Sequence, residues 1–160
     1  MAHPIYMTIK GKEQGDISAG CSTQESMGNK CQEAHLNEIM VLSYTHQMAN
    51  VANIDRATHM PVVITKNIDK SSPLLAQALA QRESITCKID FYRTTPNGSQ
   101  EKFYSVEIQD AIIDNLIVQT PHVTLDNDAE PVEQLAIRYG DISWTHHAAG
   151  TSGYSYWGES

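Results

Sequence analysis

The chain has 160 residues and a formal charge of −8, from 11 Lys+Arg against 19 Asp+Glu, which fits one domain able to bury a core without staples. That negative field, with basic residues scattered, disfavours nucleic-acid binding. No run reaches the about 18 apolar residues of a membrane span, and Met1-Ala2-His3-Pro4-Ile5-Tyr6 lacks the basic and apolar regions of a Sec-type signal.

Period-2 alternation dominates and predicts a mainly β chain. Ile5, Met7 and Ile9 alternate with Tyr6, Thr8 and Lys10 in an opening strand, followed by a turn over 11–15 and a short second strand over 17–22. The stretch from 22 to 37 is polar and carries no clear period. Residues 38–46 read as a strand with Ile39, Val41 and Ser43 on one face and Met40, Leu42 and Tyr44 on the other. Two largely apolar faces suit burial on both sides, or one face in the core and one against another subunit.

Between Gln47 and His59 the alternation collapses. A structureless loop of this length is usually functional or disordered. This one keeps Met48, Val51 and Ile54, which a loop bathed only in water has little reason to carry. It reads as a protruding contact loop or as a loop folded onto its own barrel.

A strand over 60–68 leads into the one convincing helix, about Pro73 to Arg82. Ser72 is its expected N-cap, Pro73 takes the first helical position, and Leu74, Leu75, Ala78 and Leu79 form an apolar stripe. Asp69, just before it, suits a helix N-terminus. Two strands, 84–94 and 101–110, flank the hairpin signal Pro96-Asn97-Gly98. A further strand over 111–119 follows a bend near Asp110. After an acidic loop, strands over 132–139 and 141–146 are broken at Gly140. Residues 1–147 therefore form one β-barrel domain, and 148–160 a flexible tail in which Tyr154, Tyr156 and Trp157 could dock. Short strands, close turns and one flanking helix predict a two-sheet β-barrel.

Chemistry is hard to find. Three cysteines, Cys21, Cys31 and Cys87, are an odd set without CxxC spacing, and Cys87 alternates with core residues. Seven histidines show neither HxH nor HExxH spacing, and His146-His147 would point to opposite faces of a strand. Asp126, Asp128 and Glu130 lack the glycine and terminal glutamate of a calcium loop. No nucleophile elbow is present. The expectation is a protein without catalytic, cofactor or metal sites. A small ligand-binding barrel or a metal-dependent enzyme using converging histidines is the alternative.

Three segments together resemble the Hcp family of type VI secretion systems. They are Ile5–Lys10 with Gly15–Gly20, Ile64-Thr65-Lys66-Asn67-Ile68-Asp69-Lys70-Ser71-Ser72-Pro73-Leu74-Leu75 running into Ala78-Leu79, and Ile137-Arg138-Tyr139-Gly140-Asp141-Ile142-Ser143-Trp144-Thr145. Order and spacing agree over nearly the whole chain, departing around Cys21–Cys31 and in the tail. The resemblance implies a two-sheet barrel flanked by one helix, assembled into hexameric rings that stack as a hollow tube. It implies as partners a contractile sheath, a VgrG-like spike and secreted effectors carried in the lumen, with no nucleic acid and no membrane insertion. It implies a cytoplasmic protein that is secreted on firing without a signal peptide. The loop after the second major strand reaches adjacent subunits or rings in this family, which makes Met48, Asn50, Val51, Asn53, Ile54, Asp55 and Arg56 the candidate contacts. A phage-type tail-tube subunit shares the same physics. Some members add toxin domains; this chain ends too soon after its last strand for one, so the plain structural form is expected.

Overall fold

A computed structural model describes residues 3–30, 33–52, 54–125 and 130–158. Its strands are β1 (Ile5–Gly11), β2 (Gly15–Asp16), β3 (Ile39–Thr45), β4 (Met48–Ala49), β5 (Thr58–His59), β6 (Val62–Asn67), β7 (Ile85–Thr94), β8 (Gln100–Gln119), β9 (Val132–Arg138), β10 (Asp141–His146) and β11 (Thr151–Tyr156). The helices are α1 (Gln24–Met27) and α2 (Ser72–Ala80).

One strand, β8, organises the rest. Its first half pairs antiparallel with β7, and its second half with β9, from Ile112↔Arg138 to Gln119↔Val132. Because β7, β1, β3, β6 and β9 are neighbours in that order, the two contacts of β8 close the sheet into a barrel-like ring. β10 and β11 extend the sheet from the first half of β8. The two strands expected at 101–110 and 111–119 are thus one, bent at Asp110, whose φ of 51° is a left-handed value. Gly140 seats this bend: its N–H donates to the Gln109 carbonyl at 2.9 Å, and a Cβ there would lie 2.8 Å from that of Asp110.

The alternation puts one side chain in two inside the ring. Ile9, Cys87, Ile108 and Ile142 form one cross-strand row, and Val62, Ile137 and Ile113 another, all of them buried. Each fully buried large aliphatic contributes roughly 1.5–3 kcal/mol. In β3 the alternation breaks: a bulge between Val41 and Ser43 leaves Leu42 and Ser43 exposed. Tyr44, rather than Ser43, then turns to the core and meets Phe91 edge-on at 5.0 Å between ring centroids.

Several local expectations need correction. The second strand is only Gly15–Asp16; left-handed φ values at Gly15 and Gly20 fold 17–22 into turns that seat Ile17 and Cys21 in the core. The patternless 22–37 segment contains α1, whose N-cap Thr23 Oγ1 accepts from the Ser26 N–H, and two 3-10 turns. Cys31, Asp126 and Asp128 lie outside the described residues. The supposed flexible tail is, over Thr151–Tyr156, the strand β11, paired along all of β10. Its low-complexity Gly/Ser/Tyr composition hid an alternation too polar to register as a strand.

α2 spans Ser72–Ala80, slightly shorter than expected, with Leu75 and Ala78 buried against the ring. Its N-cap is Ser71, not Ser72. Asp69 supplies the carboxylate, accepting from the Ser71 N–H at 2.9 Å and the Ser71 hydroxyl at 2.5 Å. Ser72 is engaged elsewhere: its hydroxyl accepts from the Asp69 N–H at 3.0 Å and donates to Glu133 at 2.6 Å. Lys66, with no exposed surface, donates to Glu133, to Asp69 at 3.0 Å and to the Asn67 carbonyl at 3.0 Å. The most family-like stretch of the sequence therefore codes for a buried ionic knot tying β6, β9 and α2 together.

Candidate functional site

Residues 47–59 form an arm outside the main sheet. β4 and β5 pair through Met48↔His59 and Ala49↔Thr58, and the Met60 N–H donates to the Gln47 carbonyl at 3.2 Å. The tip between them is a turn in which the Ile54 N–H donates to the Val51 carbonyl at 3.2 Å. Of the candidate contacts, Asn50, Val51, Ile54, Asp55 and Arg56 are exposed and Met48 is half-buried; Asn53 lies outside the described residues. Val51 and Ile54 keep 46% and 50% of their surface in water, so this hairpin does not hide its apolar tip on its own barrel.

The arm is rigid at its root for reasons that the strand patterns did not reveal. His46 and His59, which bracket it, both reach the Tyr139 hydroxyl, at 2.8 and 2.7 Å. The other ring nitrogen of His59 lies 3.1 Å from Ser155 Oγ. The Tyr139 hydroxyl has a single proton, so it can donate to only one of the two rings. Trp157 lies between His59, stacked at 5.7 Å, and the Arg138 guanidinium, 5.5 Å from its ring centroid. Tyr139 and Ser155 were missed because they are distant in sequence from the loop, whereas Trp157, one of the tail aromatics expected to dock, does so here against His59 and Tyr139.

Between arm and β11 lies a cleft of about 320 Å3, lined by Ile54, Arg56 and His59 on one side and Ser155, Tyr156 and Trp157 on the other. Tyr154 and Tyr156 stand exposed on the outer strand. A second group of exposed apolar residues comprises Ile117 and Val118 at the end of β8 and Val123 and Leu125 beyond it. These surfaces suit contact with protein more than chemistry. Burial pushes the Cys21 thiol up to about 11 and that of Cys87 to about 12, so neither supplies a thiolate near neutrality. His147 bonds Ser105 at 2.8 Å, while His146 accepts from the Ala149 N–H at 3.1 Å. Among the described residues, no three His, Cys, Asp or Glu side chains converge in a metal-binding group.

Burial holds both arm histidines below their ordinary value of 6.5, and the neighbouring His59 adds to the effect on His46. Between the folded value and 6.5 the unfolded chain binds more protons than the folded one. The contribution is therefore complete above 6.5 and is lost as pH falls through the folded value. The unfolding free energy is expected to fall from about pH 7.5 to about pH 5.5, with a flatter profile in the H46Q/H59Q variant. Parallel profiles for the two proteins would exclude the histidines as the cause.

Comparison with known proteins agrees with this arrangement. The family model described as "Type VI secretion system effector, Hcp" matches residues 6–146. The "Major exported protein" of Pseudomonas aeruginosa is 38% identical over 98% of this chain and 96% of its own length. The structure titled "Crystal structure of Hcp protein" superposes with a TM-score of 0.93 at 32% identity, covering 99% of this chain and 100% of that one. "Secreted protein Hcp3 from Pseudomonas aeruginosa" gives a TM-score of 0.86 at 38% identity, with 99% and 100% covered. Ring-closed sheet, flanking helix, projecting arm and these matches together place the chain in the Hcp family of type VI secretion proteins.

Proposed function

We propose that the chain is a structural tube subunit of a type VI secretion system. It closes into hexameric rings, and the rings stack into a hollow tube that carries effectors in its lumen. The observation that carries this reading is the arm at 47–59: an apolar tip held out in water on a root fixed by two histidines, a tyrosine and a tryptophan. A tube needs self-complementary surfaces that close by rotation and no bond chemistry. Burial leaves neither the Cys21 nor the Cys87 thiol as a nucleophile near neutrality.

On this reading the subunit is made in the cytoplasm, assembles inside a contractile sheath beneath a VgrG-like spike, and leaves the cell when the sheath fires. Nucleic acid and membrane insertion have no part in it; among the described residues no helix is long and apolar enough to cross a membrane. Native mass measurement of the purified protein at micromolar concentration tests the core of the proposal. The expected species is a hexamer, seen as rings in electron images. A strictly monomeric protein would overturn the tube reading while leaving family membership untouched.

A further inference from the structure

Among the described residues, every hydrogen bond and ring contact between the root of the arm and the barrel involves His46 or His59. His59 reaches Tyr139, Ser155 and Trp157, and His46 reaches Tyr139. The root therefore hangs on two side chains of the type that changes charge near neutral pH. His59 and Tyr139 are buried, and both rings address the same phenolic oxygen, at 2.8 and 2.7 Å. With neutral rings the hydroxyl can donate to one and accept from the other. A protonated ring carries only donors. Once both are charged, two N–H groups point at one oxygen and two like charges meet across it.

The surroundings offer no compensating charge. Arg56 lines the cleft beside His59, and the Arg138 guanidinium lies over Trp157, the ring stacked on His59. The other titratable groups at the root are phenols, Tyr44 from β3 beside Tyr139 and Tyr156 from β11. The nearest carboxylates along the chain are engaged elsewhere or exposed: Asp141 accepts from the Tyr154 hydroxyl at 3.1 Å, and Asp55 lies in the exposed arm tip. Neither histidine belongs to an ion pair among the described residues. His35 makes the contrast, since Glu38 holds its ring at 2.6 Å. Burial, which holds both arm histidines below their ordinary value, acts in the same sense.

We propose that the arm root is an acid-sensitive latch: at neutral pH the His46–Tyr139–His59 cluster holds the arm beside β11, and protonation of the two rings frees it from the barrel. The opening is a property of the single subunit. Its consequence for assembly, a loss of ring stacking in acid, rests on the tube reading above.

The test follows backbone hydrogen exchange of the full chain at about pH 7.5 and about pH 5.5 and constant ionic strength, corrected for the intrinsic pH dependence. Arm amides, such as those of Ala49, Ile54 and Thr58, are expected to exchange about tenfold faster or more at the lower pH, while those of β1 and β7 stay protected. H46Q/H59Q keeps hydrogen-bonding groups at both positions without a titrating charge, so its arm should stay protected at both pH values. If that variant does not fold, Y139F serves: without the shared oxygen its arm should exchange fast at both pH values and show no step. The latch is overturned by arm amides that keep their rate between the two pH values, that open only together with β1 and β7, or that show the parental step in the folded variants. Electron images of the same samples separate the latch from the tube. An exchange step in a protein that never forms stacks supports the latch and counts against the tube. Stacks that persist at the lower pH with a freed arm also support the latch, and take the arm out of the stacking contact.

Discussion

Replacing Lys66 by methionine is expected to lower the unfolding free energy by about 3–5 kcal/mol, measured by urea titration at fixed protein concentration. For a domain whose total stability is of the order of 5–15 kcal/mol, that is a third or more. The size follows from what the ammonium leaves behind. Asp69 and Glu133, each almost wholly buried, lose the one cation they pair with among the described residues, and Asp69 retains the Ser71 donors while Glu133 retains Ser72. Two carboxylates facing each other in a low dielectric repel as well as lack solvation. The contrast between breaking the knot and deleting it sharpens the test. K66M/E133L removes the central pair and fills its space with hydrocarbon, so it should regain much of the loss, because a buried ion pair costs nearly as much desolvation as it returns in attraction. A K66M protein within about 1 kcal/mol of the parent would show that the knot is solvated in solution.

This knot also marks how far the sequence could be read. The strand-to-helix junction was legible because Pro73 and the Leu74–Leu79 stripe are local signals with local causes. Lys66 was not legible as a buried charge. Its carboxylate partner Glu133 lies in another strand, and a lone lysine inside a strand pattern looks like a wet-face residue. The same distinction runs through the fold. Alternation in β1, β7 and β9 located strands whose inward residues are buried as expected. It failed at β3, where a bulge of one residue exchanges the two faces, and at β11, whose Thr, Ser and Gly carry almost no hydrophobic signal. At the arm, the apolar residues drew attention to the loop. The root could not be foreseen, since His46, Tyr139, Ser155 and Trp157 meet only through the closure of the sheet.

If the arm is the stacking contact proposed above, V51D/I54D should leave single rings intact and abolish their stacking. The parent residues expose 46% and 50% of their surface, so the folded subunit barely registers the change, and its stability should move by no more than about 0.5 kcal/mol. Against a neighbouring ring the same side chains would have to give up water. An apolar contact is lost and an unpaired carboxylate must be desolvated at each site, a penalty of a few kcal/mol that corresponds to roughly 100-fold in affinity per arm. Because every subunit of a ring presents one arm, the losses multiply, and long stacks in electron images should be replaced by isolated rings. V51A/I54A removes the apolar area without adding charge and should shorten stacks rather than eliminate them. The root makes the complementary case: Y139F keeps the apolar tip but removes the hydroxyl shared by His46 and His59, so it should weaken stacking through the aim of the arm rather than its composition. Stacks of parental length in V51D/I54D would remove the arm from the interface, and the exposed apolar residues at and beyond the end of β8, Ile117, Val118, Val123 and Leu125, would become the surface to examine.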